Sequence, residues 1–439
     1  MASINPAIAA TTPETTLRKR ITRPAVFSAF FLIIGVVLLI SNFSTPSDLT
    51  TTFTFGRALP DTRLHIPTGL YTWIVSIFYV IVGVVGVLPA VTKAGITALA
   101  RAQSMLLLIA GILIIPTVLV LAAAGGSTNV TVMLQVSLRL ATPVVLGALA
   151  GIWCERSGVV NVGIEGMMLS GACFGFVAFT LSLNAGADSG TGQFVGVLVA
   201  VLAGGAMALL HAWLSVNFKI NQIVSGTVIN ILALGLTSYV RREVLLSSEA
   251  GRETLPVTNI PLLSEIPILG EVFFQGKPIF YSMFILLIIT HVILFFTRWG
   301  LRTRAVGENP KAADTLGVNV QRIRWINVII SGLIAGLGGA WFSLETTGGF
   351  DDAMTSGRGF IALAAMIFGK WMPFGAFGGG LLFGFSDALG QRFQLLGVPI
   401  PPQFLQMVPY VITIVVLAGL VGRAVAPKAD GVPYEKEGK

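Results

Sequence analysis

The chain reads as an all-α polytopic membrane protein with about twelve transmembrane helices, and three observations predict that class. Of its 439 residues 54% are hydrophobic and only 11% charged, with a mean hydropathy of +0.85, a balance far more apolar than a soluble domain of this length. The apolar residues come in runs of roughly 20, the length that carries a helix across a ~30 Å hydrocarbon layer. The basic residues gather on alternate sides of those runs.

Taken in order, the runs lie near 24–42, 69–90, 104–124, 130–153, 158–183, 192–216, 221–240, 279–297, 324–345, 358–371, 373–389 and 403–421. The first follows Arg18, Lys19, Arg20 and Arg23 as a signal sequence would, but no small-residue cleavage site follows Ile40, so it is expected to remain as an anchor. A Thr-rich stretch from Ser44 to Thr68 separates it from the next two. Residues 1–128 thus read as a tail with three accessory spans, 129–422 as the core and 423–439 as a second tail. From Val130 onward small residues cluster, as in Gly163 to Gly166, Gly204-Gly205, Gly336 to Gly339 and Gly375 to Gly380. Each such cluster reads first as close helix packing. The runs 358–371 and 373–389 are short, and Gly or Pro interrupts several others. Interrupted spans are tolerated where protein or a cavity takes up the freed backbone groups, which points toward transport. Val159 to Phe179 and Phe360 to Phe385 resemble each other loosely and are expected to begin on opposite sides of the membrane, which fits an inverted repeat with a binding site near the midplane.

Of the 28 Lys and Arg, about nineteen fall on the side of the amino terminus and about eight on the other, including Arg241, Arg242, Arg252 and Lys277 in the long loop 241–277. Both termini and the polar stretch Arg298 to Arg324 are therefore expected in the cytoplasm. The net charge of +8 is a topology signal, and no nucleic-acid partner is expected. The loop 241–277 carries five glutamates, Glu243 to Glu271, and suits either a docking surface for a delivery protein or a solvated connector.

Ionisable groups inside spans are costly and so become functional candidates. Arg139, Glu165 and Asp387 stand out. Arg139 and Glu165 lie in neighbouring spans and read either as an ion pair or as ligands lining a path. Asn161, Asn221, Gln222 and Asn230 bring amides that suit reading a polar ring or sugar, and equally suit holding helices together. Cys154 and Cys173 lack metal-type spacing and read as buried packing residues, and His65, His211 and His291 are scattered, so no metal centre or disulfide framework is expected. No phosphate loop is present, since Gly369-Lys370 is followed by Trp371; H-E-x-x-H and G-x-S-x-G are absent too. No catalytic residue and no cofactor of its own is expected. An ion-coupled secondary transporter would have only Glu165 and Asp387 for a coupling site. An intramembrane enzyme would need a polar cluster that the three histidines do not form.

Within the polar stretch, Glu308 to Gly317 has the punctuation of one short helix: Asn309 as cap, Pro310 at the first helical position, Gly317 past the end. Ala312, Ala313 and Leu316 share a face at helical spacing, and small alanines admit a close partner. A capped connector between two spans has the same signature.

Three motifs carry a family resemblance. Glu155 to Ala172 (ERSGVVNVGIEGMMLSGA), Asn221 to Ser238 (NQIVSGTVINILALGLTS) and Arg304 to Ala313 (RAVGENPKAA), followed by Leu316-Gly317-Val318, occur in order between Val130 and Val421. Together they resemble the ABC importer permease family for branched-chain amino acids, simple sugars and nucleosides. Their form looks closest to the purine-nucleoside permease subunits that work with basic-membrane-protein-type binding proteins. The resemblance implies a non-catalytic permease core in a bacterial inner (plasma) membrane, forming half of a translocation path for a small-molecule substrate. It implies a second related permease subunit, an extracellular substrate-binding lipoprotein, and a cytoplasmic ATPase subunit that holds ATP and Mg. On that reading Gly307, Glu308, Asn309, Pro310, Ala312, Ala313, Leu316 and Gly317 form the coupling helix that the ATPase receives. Arg139, Asn161, Glu165, Asn221 and Asn230 become path candidates. The first 128 residues depart from the family's compact pattern.

Overall fold

In lipid each backbone amide has to be satisfied within its own segment or its neighbours, so long apolar runs fold as helices. The protein is seen here in a computed structural model that describes residues 23–44, 46, 48–56, 59, 62–92, 97–246, 253–395, 407 and 424–436. Among the described residues nine helices are long and apolar enough to cross a membrane. The run at 403–421 lies outside the described residues except for Met407. The chain is a multi-pass membrane protein and divides into two compact units; of the described residues, those up to Val130 together with Leu395 belong to the first, and Thr131–Gln394 with the stretch from Ala424 to the second.

The first unit holds α1 (Arg23–Asn42), β1 (Thr50–Thr54), β2 (Arg63–Pro67), α2 (Thr68–Thr92), α3 (Thr97–Ala122) and β3 (Ser127–Asn129). Phe31, Val75, Tyr79, Val82 and Ala110 form its small core. The Thr-rich stretch, read from sequence only as a polar loop, folds into a three-stranded sheet of order β2-β1-β3, in which β-branched Thr suits the pleat. Thr52 lies opposite His65 in the antiparallel pair and opposite Ser127 in the parallel one. Inside, the Thr51 hydroxyl meets the Thr68 hydroxyl and the Val120 carbonyl, both at 2.9 Å.

The second unit contains α4 (Val130–Glu155), α5 (Ile164–Asn184), α6 (Ser189–Ala212) and α7 (Gln222–Val240). Beyond the loop strands β4 (Thr258–Asn259) and β5 (Gln275–Gly276), which flank the short α8 (Leu269–Phe273), come α9 (Pro278–Phe296), α10 (Arg298–Glu308), α11 (Pro310–Thr315) and α12 (Val320–Ala340). The series closes with α13 (Arg358–Phe368) and α14 (Pro373–Leu395). Helices α6 and α12 run on into π-helical turns at Trp213–Asn217 and Trp341–Thr347. Glycine places backbone against backbone where α5, α6 and α12 meet. A Cβ on Gly171 would strike the Gly336 carbonyl, and one on Gly204 would strike both Gly332 and Gly336.

Two breaks interrupt the helices. The run expected as one span over 158–183 starts as irregular chain, with helix only from Ile164. Gly158 lies at φ +83, where it turns the chain back against the end of α4. The second break separates α13 from α14. Eleven residues of α13 span about 16 Å, roughly half the hydrocarbon thickness, so this helix is a half-span. Its end is sealed from α4, where Arg156 Nε donates to the Trp371 carbonyl (3.0 Å) and the Trp371 indole donates to Glu155 (2.6 Å).

Candidate functional site

The break before α5 leaves Val159 to Gly163 without a helical ladder, and polar side chains make good the loss. Gln222 Oε1 accepts the Val160 N–H at 2.7 Å. His211 is 3.0 Å from the Val160 carbonyl through Nε2 and 2.9 Å from the Ser225 hydroxyl through Nδ1, which a proton on Nε2 satisfies. Asn230 spans the break, its Nδ2 donating to the Val162 carbonyl (3.0 Å) and its Oδ1 accepting the Gly166 N–H (2.8 Å). Asn161 is fully buried between the Gly163 N–H and the Ser331 hydroxyl, each at 3.0 Å. Asn221 sits at the start of α7, where Oδ1 caps the N–H groups of Ile223 (3.0 Å) and Val224 (3.3 Å).

Glu165 ties the second break to the first. Its Oε1 accepts the Thr355 hydroxyl (2.6 Å) and the Gly357 N–H (2.8 Å), and its Oε2 accepts the Gly359 N–H (2.6 Å). These donors open α13, whose amino-terminal dipole also favours a carboxylate there. Gly359 has no side chain to spare, because the Glu165 backbone fills the place of its Cβ. This junction stands one half-span, about 16 Å along α13, from the end of α13 that lies against the end of α4. Beside it lies a half-open groove of about 480 Å³ lined by Glu165, Leu169, Thr227, Asn230, Ile231, Thr355 and Phe360. The wall is mainly apolar and aromatic, with Thr227 exposed on it, while the Thr355 hydroxyl is buried on Glu165 and the Asn230 amide is held by the break; such a wall suits the face of a flat ring. Ile223, Val224, Val228 and Ile231 continue the exposed apolar face of α7 past the groove.

Glu165 and Asn230 thus share one groove, while Arg139, Asn161 and Asn221 do not line it. Nor do Arg139 and Glu165 meet. Arg139 donates to the Gln275 carbonyl (3.0 Å) and lines a separate cavity of about 230 Å³ with Lys277, Phe280, Trp341 and Glu345. Glu345 closes that cavity by accepting the Ile279 N–H at 2.7 Å, and burial lowers the Lys277 ammonium below the usual lysine range. Asp387 is paired with Arg358 at 3.0 Å. Sequence reasoning missed Glu345, although a glutamate closing the run 324–345 was a visible signal. It also missed Thr227, Thr355 and Phe360, which carry no periodic signature.

At the other site the short helix forms as Pro310–Thr315. Asn309 Oδ1 caps the Ala312 N–H (3.1 Å), and Gly317 reverses the chain at φ +80. The three residues expected on one open face divide. Ala313 turns inward onto Val306, Val320 and Ile323, whereas Ala312 is exposed and Leu316 is 85% exposed. Glu308 is exposed, and Gly307 is buried where a Cβ would sit on the Arg156 carbonyl. The carboxy-terminal stretch Ala424 to Lys436 lies over this end of the unit: the Ala429 N–H donates to the Gly307 carbonyl (2.9 Å), and Tyr434 packs on the Val306 cluster.

A family model described as branched-chain amino acid transport system / permease component matches residues 133–417. The guanosine ABC transporter permease protein NupQ of Bacillus subtilis (strain 168) is 43% identical over 316 residues, covering 70% of this chain and 97% of that protein. The nucleoside ABC transporter permease protein NupC of Lactococcus lactis subsp. cremoris (strain MG1363) is 44% identical over 300 residues, covering 67% and 94%. The protein named as a putative glucose ABC transporter permease protein, TsgC13, of Haloferax volcanii is 34% identical over 320 residues, covering 68% and 93%. No solved structure matches.

Proposed function

Given that the chain belongs to the branched-chain amino acid transport system permease family, we propose that it is the membrane permease subunit of an ATP-driven nucleoside importer. The groove beside Glu165, Thr227 and Asn230 carries this reading, because two discontinuous helices meet there and its mainly apolar wall admits a flat ring beside the exposed Thr227. A nucleoside brings a flat ring and a hydroxylated sugar, and that lining offers apolar and aromatic surface for the ring with the Thr227 hydroxyl beside it. The exposed apolar face of α7 alongside suits a second, related permease that closes the path.

ATP hydrolysis belongs to a cytoplasmic ATPase subunit holding ATP and Mg, which receives α11, with Leu316 and Ala312 presented outward. An extracellular binding protein delivers the substrate. Both termini and α10–α11 face the cytoplasm of a bacterial plasma membrane, a reading that the distribution of basic residues supports.

The test is uptake of labelled guanosine and adenosine into proteoliposomes holding the chain with its partner permease, ATPase and binding protein. Uptake with ATP, competed by unlabelled nucleoside and not by ribose or glucose, is the expected result. Competition by the sugars alone would reassign the substrate, and uptake by this chain alone under an imposed ion gradient would refute the ATP-driven reading.

A further inference from the structure

The carboxy-terminal stretch carries a charge into the protein that no motif accounts for. Arg324, near the start of α12, is 1% exposed and donates through Nη1 to the Val432 carbonyl at 2.9 Å. Near it lie the carboxyl of Asp430 from the tail and that of Glu155 from the end of α4, which interact with one another; the Arg324 Nε and Nη2 and the Asp430 Oδ1 have no hydrogen-bond partner among the described residues. Buried charges are tolerated when paired, and two touching carboxyls hold a proton between them more readily than two negative charges. With one shared proton the cluster of Glu155, Asp430 and Arg324 is neutral. Removing the tail would strand Arg324.

The tail makes further contacts on both sides of that cluster. Its Ala429 N–H bonds Gly307 at the end of α10, Gly431 packs against Val160 in the break before α5, and Glu435 pairs with Lys219 at 2.8 Å. It therefore touches the elements that hold α11 and, at Val160, the strand of chain that Gln222 and His211 support. Two residues further on, Val162 is bonded to Asn230 of the groove. Coupling between distant sites needs contiguous packed or bonded elements of this kind.

We propose that the tail is a coupling clasp, with Asp430 as its positioning residue: it fixes α10–α11 to the break before α5, stays closed through the transport cycle, and so delivers movement at α11 to the groove. This rests on the importer reading. The experiment uses the reconstituted complex with Asp430→Lys, which sets a second cation against Arg324, and, separately, a chain ending after Lys428. The variants are expected to retain the ATPase and its basal hydrolysis, while nucleoside moved per ATP falls about tenfold. Carbodiimide coupling of Lys219 to Glu435, read by mass spectrometry with Glu435→Gln as control, reports closure of the tail without any destabilising change. Equal yield with and without nucleotide is expected. An unchanged transport-to-hydrolysis ratio in the variants, or a cross-link lost severalfold on adding ATP, overturns the clasp while leaving the importer reading intact. A parent complex showing no ATP-dependent uptake overturns the importer reading itself.

Discussion

Replacing Glu165 by Gln separates the two roles open to this residue in the sequence. The carboxylate accepts three hydrogen bonds, two of them from backbone N–H groups at the start of α13. Hydrogen bonds to a charged group contribute about 1.5–3 kcal/mol each, against about 1 for neutral ones. Glutamine keeps one acceptor oxygen for Thr355 and Gly357, but its NH₂ then faces the Gly359 N–H, donor against donor. The docked state of the loop before α13 should lose about 3 kcal/mol, roughly a hundredfold in the ratio of docked to released loop. Hydrogen exchange of residues 351–359 in detergent or nanodiscs reads this directly, with uptake measured alongside. Adding Arg139→Gln should restore nothing, because Arg139 is bonded to Gln275 in a different cavity. Unchanged exchange in the single variant, or recovery in the double, would refute the assignment of Glu165 as the anchor of the half-span.

Gly307→Ala puts a methyl on the Arg156 carbonyl, a contact only backbone movement can relieve, so thermal stability in detergent should fall by an amount equivalent to about 1–3 kcal/mol. Leu316→Asp alters a side chain that is 85% exposed; expression and melting should match the parent while co-purification of the ATPase is lost, and retained co-purification would remove Leu316 from the docking surface. Burial pushes the Asp430 carboxyl up to about 7, so the docked tail holds a proton that the released tail gives up near 4. Through this group docking weakens as pH rises from about 4 to about 7, whereas the Lys219–Glu435 pair, which holds the Glu435 carboxyl below its ordinary range, is lost as pH falls further. Limited proteolysis of the tail should accelerate over that window, and Asp430→Asn should flatten the dependence.

Much of the fold was legible because lipid imposes a local rule: a run such as 279–297 has to satisfy its own amides, and the helix Pro278–Phe296 follows. Caps are equally local, and Asn309, Pro310 and Gly317 do what their types predict. The interior of the site was not legible, since its contacts join residues far apart in the chain. Thr355 is 190 positions from Glu165, and Asn230 is 64 from Gly166. Helical spacing put Ala312, Ala313 and Leu316 on one side, yet Val306 and Val320 draw Ala313 inward, a choice only tertiary packing makes. The sheet of the first unit escaped notice because isolated short strands acquire stability only from each other.

The glycine contacts among α5, α6 and α12 bear on where motion is possible. Side-chain layers let helices slide by exchanging rotamers, but at Gly171, Gly204 and Gly336 no such layer exists. Peptide planes bear directly on one another there, so displacement along the seam means collision rather than adjustment. These three helices act as a welded frame. What the weld leaves outside it are the π-helical turns at 213–217 and 341–347, where the hydrogen-bond ladder already runs one residue out of step, while α13 is itself held to the frame where Gly359 lies against the Glu165 backbone.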